Sequence, residues 1–433
     1  MARSTRFLPG SSGRRSFLAQ LGLWGSAFAG LSATAKSPAP RREAPAPLTA
    51  EGRIGLLLPS AAACRGLDEH LFAGFQLALD RAREAGDGFK VELVRASTSL
   101  SPSAYGKAGL KLLRDAEADL VIALAQPGAA SAMAPAFEEA GRCLLVVDGG
   151  ANLVRSGELG SHVFYNTLGQ WESSWTLGRW AAGAYPGAGF MVASAFEGGH
   201  DALRAFRLGA AGSGEKGFHV PGMPLHEARE GLAPAHAVDL IRRSAPAYVA
   251  VLLGRAEGLD FLRAFHQAGL SGAIPLVGSA FLAEEALAAG LGEALAGFTL
   301  ASAWSAGLPT PANRSFLADY RRRNGQEADA YAALGFDTGC MLLAALKDSG
   351  GHVRFVREAL ERVAWEGPGG KRAMDAASHV AQGDIHLSRL DLAYGSLKAS
   401  VIQSEPGLGN RAAEVDALRR SPRPELVNPY PIY

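Results

Sequence analysis

From Arg53 onward, short apolar runs alternate with longer stretches in which apolar residues recur every three or four positions. The runs RIGLLLP (Arg53–Pro59), KVELVRA (Lys90–Ala96), DLVIALA (Asp119–Ala125) and CLLVVDG (Cys143–Gly149) read as buried strands. A second series follows in AGFMVASAF (Ala188–Phe196), PAYVAVLLG (Pro246–Gly254), IPLVGSA (Ile274–Ala280) and GFTLASAW (Gly297–Trp304). Between them, EHLFAGFQLALDRAREAG, AYGKAGLKLLRDAEA, HDALRAFRLGAAG and EGLDFLRAFHQAGL carry the apolar stripe of a helix packed on a sheet. Such alternation predicts an α/β fold of doubly wound parallel sheets with helices on both faces. One sheet of this many strands would be unusually large, so two lobes are expected.

In open α/β sheets, ligands bind beyond the carboxyl ends of the strands, where loops feed helix N-termini. The loops so placed are AQPGAAS, DGGAN, FEGGHD, GRAEG and GSAF, all rich in glycine and small residues. Either they let a ligand approach the backbone, or they only turn a strand tightly into a helix.

The two ends break the pattern. Near the start stands SSGRRSFLAQLGLWGSAFAGLSATA (Ser11–Ala35), with Arg14 and Arg15 ahead of Phe17 and Leu18, an apolar run from Leu21 to Leu31, and the small residues Ala33-Thr34-Ala35. This reads as a twin-arginine export signal with its cleavage site. A membrane anchor is the competing reading, but an anchor needs about 20 apolar residues, and Gly22, Gly25 and Gly30 interrupt this run. The mature chain is therefore expected to begin near Lys36, in the periplasm, without stable membrane insertion. KSPAPRREAPAPLTA (Lys36–Ala50) reads as a proline-rich tether reaching the first strand at Arg53. At the other end, Ser400–Tyr433 reads as a tail closing in SPRPELVNPYPIY, whose prolines preclude a regular helix or central strand there.

Composition narrows the function. The formal net charge of +1 creates no global field for nucleic acid or an anionic membrane. Cys64, Cys143 and Cys340 lack metal-like spacing; Cys143 and Cys340 lie in apolar segments suited to buried free thiols, although outside the cytoplasm one pair could be oxidised. GAAGSGEKG (Gly209–Gly217) has Glu215 where a phosphate loop needs lysine, and it closes a helix rather than opening one. No G-x-S-x-G elbow or HExxH motif is present, and His379 and His386 stand seven apart in a loop-and-strand region. No metal or cofactor site is therefore expected, and an enzyme is disfavoured, although a catalytic site assembled from distant residues would leave no such motif.

The order of segments then resembles a known family. RIGLLLPSAAACRGLDEHLFAGFQLALDRARE is similar to the opening strand, loop and helix of type I periplasmic solute-binding proteins of the leucine/isoleucine/valine-binding group. DLVIALAQPGAASAMAPAFEEAGRCLLVVDGGANL resembles that group's third strand, ligand loop, helix and fourth strand, and ADAYAALGFDTGCMLLAAL its late helix. EGPGGKRAMDAASHVAQGDIHLSRL resembles its closing segment, in wording closest to the amide- and urea-type receptors. The resemblance implies two lobes joined by three hinge crossings, one of Arg53–Asn166 with Ser279–Lys371, the other of Thr167–Gly278 with the chain from Arg372 to Ala399. It implies capture of a small molecule in the interlobe cleft and delivery to an inner-membrane ABC permease. A ligand-sensing receptor or a carrier for a non-ABC partner would use the same fold.

Two departures bear on the ligand. Where amino-acid-binding members place hydroxyl side chains for the ligand carboxylate, this chain has Pro127 and Ala151; the acid for the ligand ammonium falls near Ala233. A buried amino-acid zwitterion without these partners would be poorly compensated, by several kcal/mol. The residues left to the cleft are Gln126, Ser131, Asp148, Phe196, Ser279, Phe281, Trp304 and Tyr331, and they imply an uncharged ligand, aromatic, lipid-like or amide-bearing. Each aromatic could instead be packing, and Asp148 could instead cap a helix starting at Asn152. Trp171 and Trp175, at helical spacing, are expected to pack on the second sheet.

Overall fold

The computed structural model describes residues 48–60, 66–154, 160–193, 200–211, 233–393, 396–410, 415–416 and 418–419. The export signal, most of the tether, Cys64, Phe196, Glu215 and the last residues of the tail lie outside them.

Five strands form the first half of the fold. β1 (Thr49–Pro59), β2 (Gly88–Thr98), β3 (Leu120–Leu124), β4 (Cys143–Asp148) and β5 (Val163–Thr167) pair in parallel in the order β2-β1-β3-β4-β5. Helices α1 (Leu67–Glu84), α2 (Pro102–Arg114) and α3 (Pro127–Ala140) connect the first four. α4 (Gln170–Ala184) then opens the second half, followed by β6 (Gly189–Ala193), α5 (Asp201–Ala211), α6 (Pro234–Ser244), β7 (Tyr248–Leu252), α7 (Arg255–Gln267), β8 (Leu276–Ser279), α8 (Ala280–Ala288) and β9 (Thr299–Ser302). Here the order is β9-β8-β7-β6, again all parallel. The chain returns to the first half through α9 (Pro311–Asn324), α10 (Ala330–Asp348) and α11 (Arg357–Arg362), then adds β10 (Ala364–Gly367), β11 (Gly370–Asp375), β12 (Val380–Ala393) and β13 (Ser396–Pro406).

β12 carries the third passage between the halves. Its first residue bridges Tyr165 of β5 and Val380–Gly383 pair with β11, while Asp384–Ala393 run antiparallel to β13 and His386–Arg389 also to β9 on the other side. The apolar runs are buried on both faces, as parallel strands covered on both sides require: β3, β4, β5 and β7 are buried throughout.

Each half holds a helix pair packed at backbone distance. A Cβ on Gly74 of α1 would lie 2.0 Å from the Ala332 carbonyl oxygen of α10, and one on Gly335 of α10 would lie 1.9 Å from that of Leu71. α4 and α5 repeat the device: a Cβ on Gly178 would lie 2.2 Å from the Phe206 carbonyl, and one on Gly209 2.1 Å from that of Trp175. Only glycine permits both approaches.

Four expectations need correction. β1 starts at Thr49 rather than Arg53, because Thr49–Gly52 continue the parallel ladder with Gly88–Val91. Residues 279–302 belong with the second half, not the first: Ser279 of β8 pairs with Ala301 of β9, and Ala283, Leu295 and Phe298 pack in the same core as Phe190, Val249 and Phe261, whereas Arg372–Ala381 stay with the first half, Met374 and Ala381 packing in the core that holds Ile54 and Leu145. The tail does not begin at Ser400, since β13 runs to Pro406; beyond it Leu408, Val415 and Leu418 pack against Trp171 and Trp175. No helix starts at Asn152. Among the described residues, no helix is long and apolar enough to cross a membrane.

Candidate functional site

The loop DGGANL after β4 sits between the N-termini of α4 and α5. Asp148, 4% exposed, accepts a hydrogen bond from Gly150 N–H at 2.9 Å, which folds the loop back on itself. The carbonyls of Gly149 and Gly150 accept from Gln170 N–H (3.2 Å) and Trp171 N–H (2.8 Å), the first orphan donors of α4. Further along, the Ala151 carbonyl accepts from Ala202 N–H at 3.0 Å, and Asn152 Oδ1 accepts from Asp201 N–H at 3.1 Å, serving α5 in the same way. Burial pushes the Asp148 carboxyl up to about 7, with the Gly150 N–H pulling against it, and burial holds His200, just before α5, down to about 4.

Beside this junction, the ends of β8 and β9 and one face of α4 border a pocket open to solvent. Gln170, Ser173, Ser174 and Leu177 supply the α4 face, at the spacing that brings side chains together on a helix. Ser279 and Phe281 enter from the β8–α8 turn and Trp304 from the end of β9. No charged side chain lines it among the described residues. Two polar atoms in this wall have no hydrogen-bond partner among the described residues: Gln170 Oε1 and Ser173 Oγ, on residues 8% and 4% exposed.

The aromatic wall is held rigidly. The Trp304 indole N–H donates to Asn313 Oδ1 at 2.8 Å, and its ring meets Phe316 edge-on. The Asn313 amide in turn donates to the carbonyls of Ser305 and Leu308. Phe281 lies 5.9 Å from the Tyr331 ring, and Ser279 Oγ accepts from Phe281 N–H.

Of the residues expected at the site, Ser279, Phe281 and Trp304 line this cavity, and Tyr331 backs it through Phe281. Gln126 and Ser131 do not line it: Gln126 precedes α3, and the exposed Ser131 donates to the Pro127 carbonyl of its own helix. Asp148 is committed to its loop. Gln170, Ser173 and Ser174 were not anticipated, although QWESSWTL spaces them on one helical face opposite the two tryptophans. Among the described residues, no group of His, Cys, Asp or Glu could hold a metal ion. Cys143 is buried and Cys340 half-buried; both are free, and burial pushes both thiols up to about 12.

Beneath the cavity a buried polar hub ties the chain passages together. Asp337 of α10 accepts from Arg372 Nη1 (3.0 Å), Trp365 Nε1 (2.9 Å) and Asn166 Nδ2 (3.1 Å), while Arg372 Nη2 donates to the Thr167 carbonyl.

Residues 51–396 match a family model described as periplasmic binding protein. No curated protein matches the chain. Among solved structures, a solute-binding protein of an ABC transporter from Rhodopseudomonas palustris BisB5, in complex with 3,4-dihydroxybenzoic acid, is similar at 19% identity and a TM-score of 0.69, over 84% of this chain and 99% of that one. A solute-binding protein from R. palustris in complex with benzoate gives 22% identity and a TM-score of 0.66, over 82% and 97%. An ABC transporter substrate-binding protein from Desulfitobacterium hafniense, in complex with Leu, gives 20% and 0.62, over 81% and 99%.

Proposed function

The chain belongs to the periplasmic binding protein family, and we propose that within it this protein captures a small molecule other than a free amino acid and delivers it to an ABC permease of the inner membrane. The observation that carries this reading is the cavity wall: Phe281 and Trp304 face Gln170, Ser173 and Ser174 with no charged side chain among its described residues. An amino-acid zwitterion there would find no counter-charge for its ammonium or its carboxylate among these side chains, at a cost of several kcal/mol. The passages at Thr167–Gln170, Ser302–Pro311 and β12 are the proposed hinge, and a ligand bonded to both halves would shift the population toward the closed form a permease recognises. Export is assigned to the twin-arginine segment around Arg14 and Arg15.

Calorimetry with leucine, isoleucine, valine and glutamate is expected to give no heat of binding, while native mass spectrometry of the mature protein recovers a bound neutral compound. Micromolar binding of any of the four amino acids would overturn the reading. Export is checked separately: replacing Arg14 and Arg15 by Lys should retain the precursor in the cytoplasm.

A further inference from the structure

Buried polar atoms are almost always hydrogen-bonded, because leaving one unmade forfeits its hydration for nothing. Gln170 Oε1 and Ser173 Oγ break that rule together, on adjacent positions of one helix face and in one cavity. An apolar side chain of similar shape at either position would remove the penalty, so the folded protein gains nothing from them in isolation. Of the other polar groups in the wall, the Trp304 indole N–H donates to Asn313, Ser279 Oγ accepts from Phe281 N–H, and Ser302 Oγ donates to the Trp304 carbonyl.

The nearby helix N-terminus is largely occupied by the chain's own carbonyls. The first two N–H groups of α4 are taken by the carbonyls of Gly149 and Gly150, and Ser173 N–H bonds to the Gly169 carbonyl. No lysine, arginine or histidine lines the cavity among the described residues. A carboxylate placed there would be desolvated without a counter-charge.

We infer that Gln170 and Ser173 are the specificity-determining ligand contacts, and that the ligand is a neutral planar molecule presenting an amide N–H to Gln170 Oε1. Its flat apolar body lies between Phe281 and Trp304, and Ser173 Oγ serves the second polar atom of the same group. This inference rests on the solute-binding reading above. It separates this chain from the similar proteins solved with benzoate and 3,4-dihydroxybenzoic acid.

The test pairs ligands that differ only in charge: benzamide against benzoate, and 4-hydroxybenzamide against 4-hydroxybenzoate, titrated calorimetrically into the mature protein. The amides are expected to bind at least tenfold more tightly than their carboxylates. Gln170→Met and Ser173→Ala should each weaken amide binding about tenfold while leaving the ligand-free melting temperature unchanged or higher, a combination that a structural role would not produce. Two independent variants keep the test alive should one fold poorly. Carboxylates binding as tightly as amides, or amide affinity unmoved in both variants, would overturn the inference and leave the solute-binding reading standing. If neither series binds, the inference fails; leucine binding in the same protein would in addition overturn the proposed exclusion of amino acids.

Discussion

Leu153 donates its backbone N–H to the carboxylate of Asp201 at 3.0 Å, across 48 positions of chain. With the bonds from Asp201 N–H to Asn152 and from Ala202 N–H to Ala151, this makes a three-bond junction between the loop after β4 and the N-terminus of α5. The loop belongs to the first half and α5 to the second. Ala151, where the family resemblance would place a hydroxyl for a ligand carboxylate, spends its carbonyl on that junction instead. The first two α5 N–H groups are thereby satisfied within the protein.

Removing the Asp201 carboxylate should loosen this junction. In Asp201→Ala the Leu153 N–H loses its buried acceptor, at a cost of about 1–3 kcal/mol, and the ligand-free protein should show a larger radius of gyration by small-angle scattering. Asp201→Asn retains an acceptor and should fall between the two. An unchanged radius in the alanine variant would mean that the junction does not restrain the halves.

Asp148 should make stability fall with rising pH. Burial raises its carboxyl from 3.8 to about 7, so its contribution is complete below the ordinary value and is lost as pH rises through 7. Asp148→Asn keeps an acceptor for Gly150 N–H but does not titrate. The unfolding free energy of the variant relative to the native protein should therefore rise by up to ~4 kcal/mol between about pH 4 and about pH 8. Urea titrations at both pH values check this; a constant difference would place the Asp148 carboxyl at its ordinary value.

The Asp337–Arg372 pair should be costly to break from one side. Its side chains are 6% and 9% exposed, and Asp337 also receives Trp365 and Asn166. Asp337→Ala leaves a buried guanidinium without its counter-charge, and a loss of about 3–5 kcal/mol is expected in denaturant unfolding. Replacing both partners together, Asp337→Leu with Arg372→Met, should cost less than the single change, because the two charges of the pair leave together and the buried Glu172, which Arg372 also faces, can take up a proton. A double variant as unstable as the single would assign the loss to the other hydrogen bonds of Asp337.

How far these features could be read from sequence depends on where their partners lie. DLVIALA and CLLVVDG announce β3 and β4 because both faces of each are apolar. VFYNT hides β5, since Asn166 looks like a loop residue until Asp337 and Thr338, more than 170 positions away, supply its partners. GFTLASAW does not say which half β9 joins, for a similar reason: its ladder with β8 decides the matter. In NTLGQWESSWTL the two tryptophans advertise packing, and the polar residues on the opposite face carry no signal of burial. Gln170 and Ser173 become candidates only once β8 and β9 close over them.

Trp304 allows packing and binding to be told apart. Its ring lines the cavity, while its N–H holds Asn313, which in turn bonds the Ser305 and Leu308 carbonyls. Trp304→Phe keeps an aromatic face but strands Asn313 Oδ1, so it should lower stability by about 1–3 kcal/mol and change benzamide affinity by less than about threefold. Trp304→Ala loses the face as well; its stability should fall by about 3–5 kcal/mol, and affinity should fall by more than tenfold at a temperature where the variant remains folded. Thermal unfolding and calorimetry on the same samples give both quantities. If the phenylalanine and alanine variants lose affinity equally, the indole N–H network rather than the aromatic face shapes the cavity, and Asn313→Ala should then reproduce the loss. If neither loses affinity, Trp304 is a packing residue and the ligand lies against α4 and Phe281 alone.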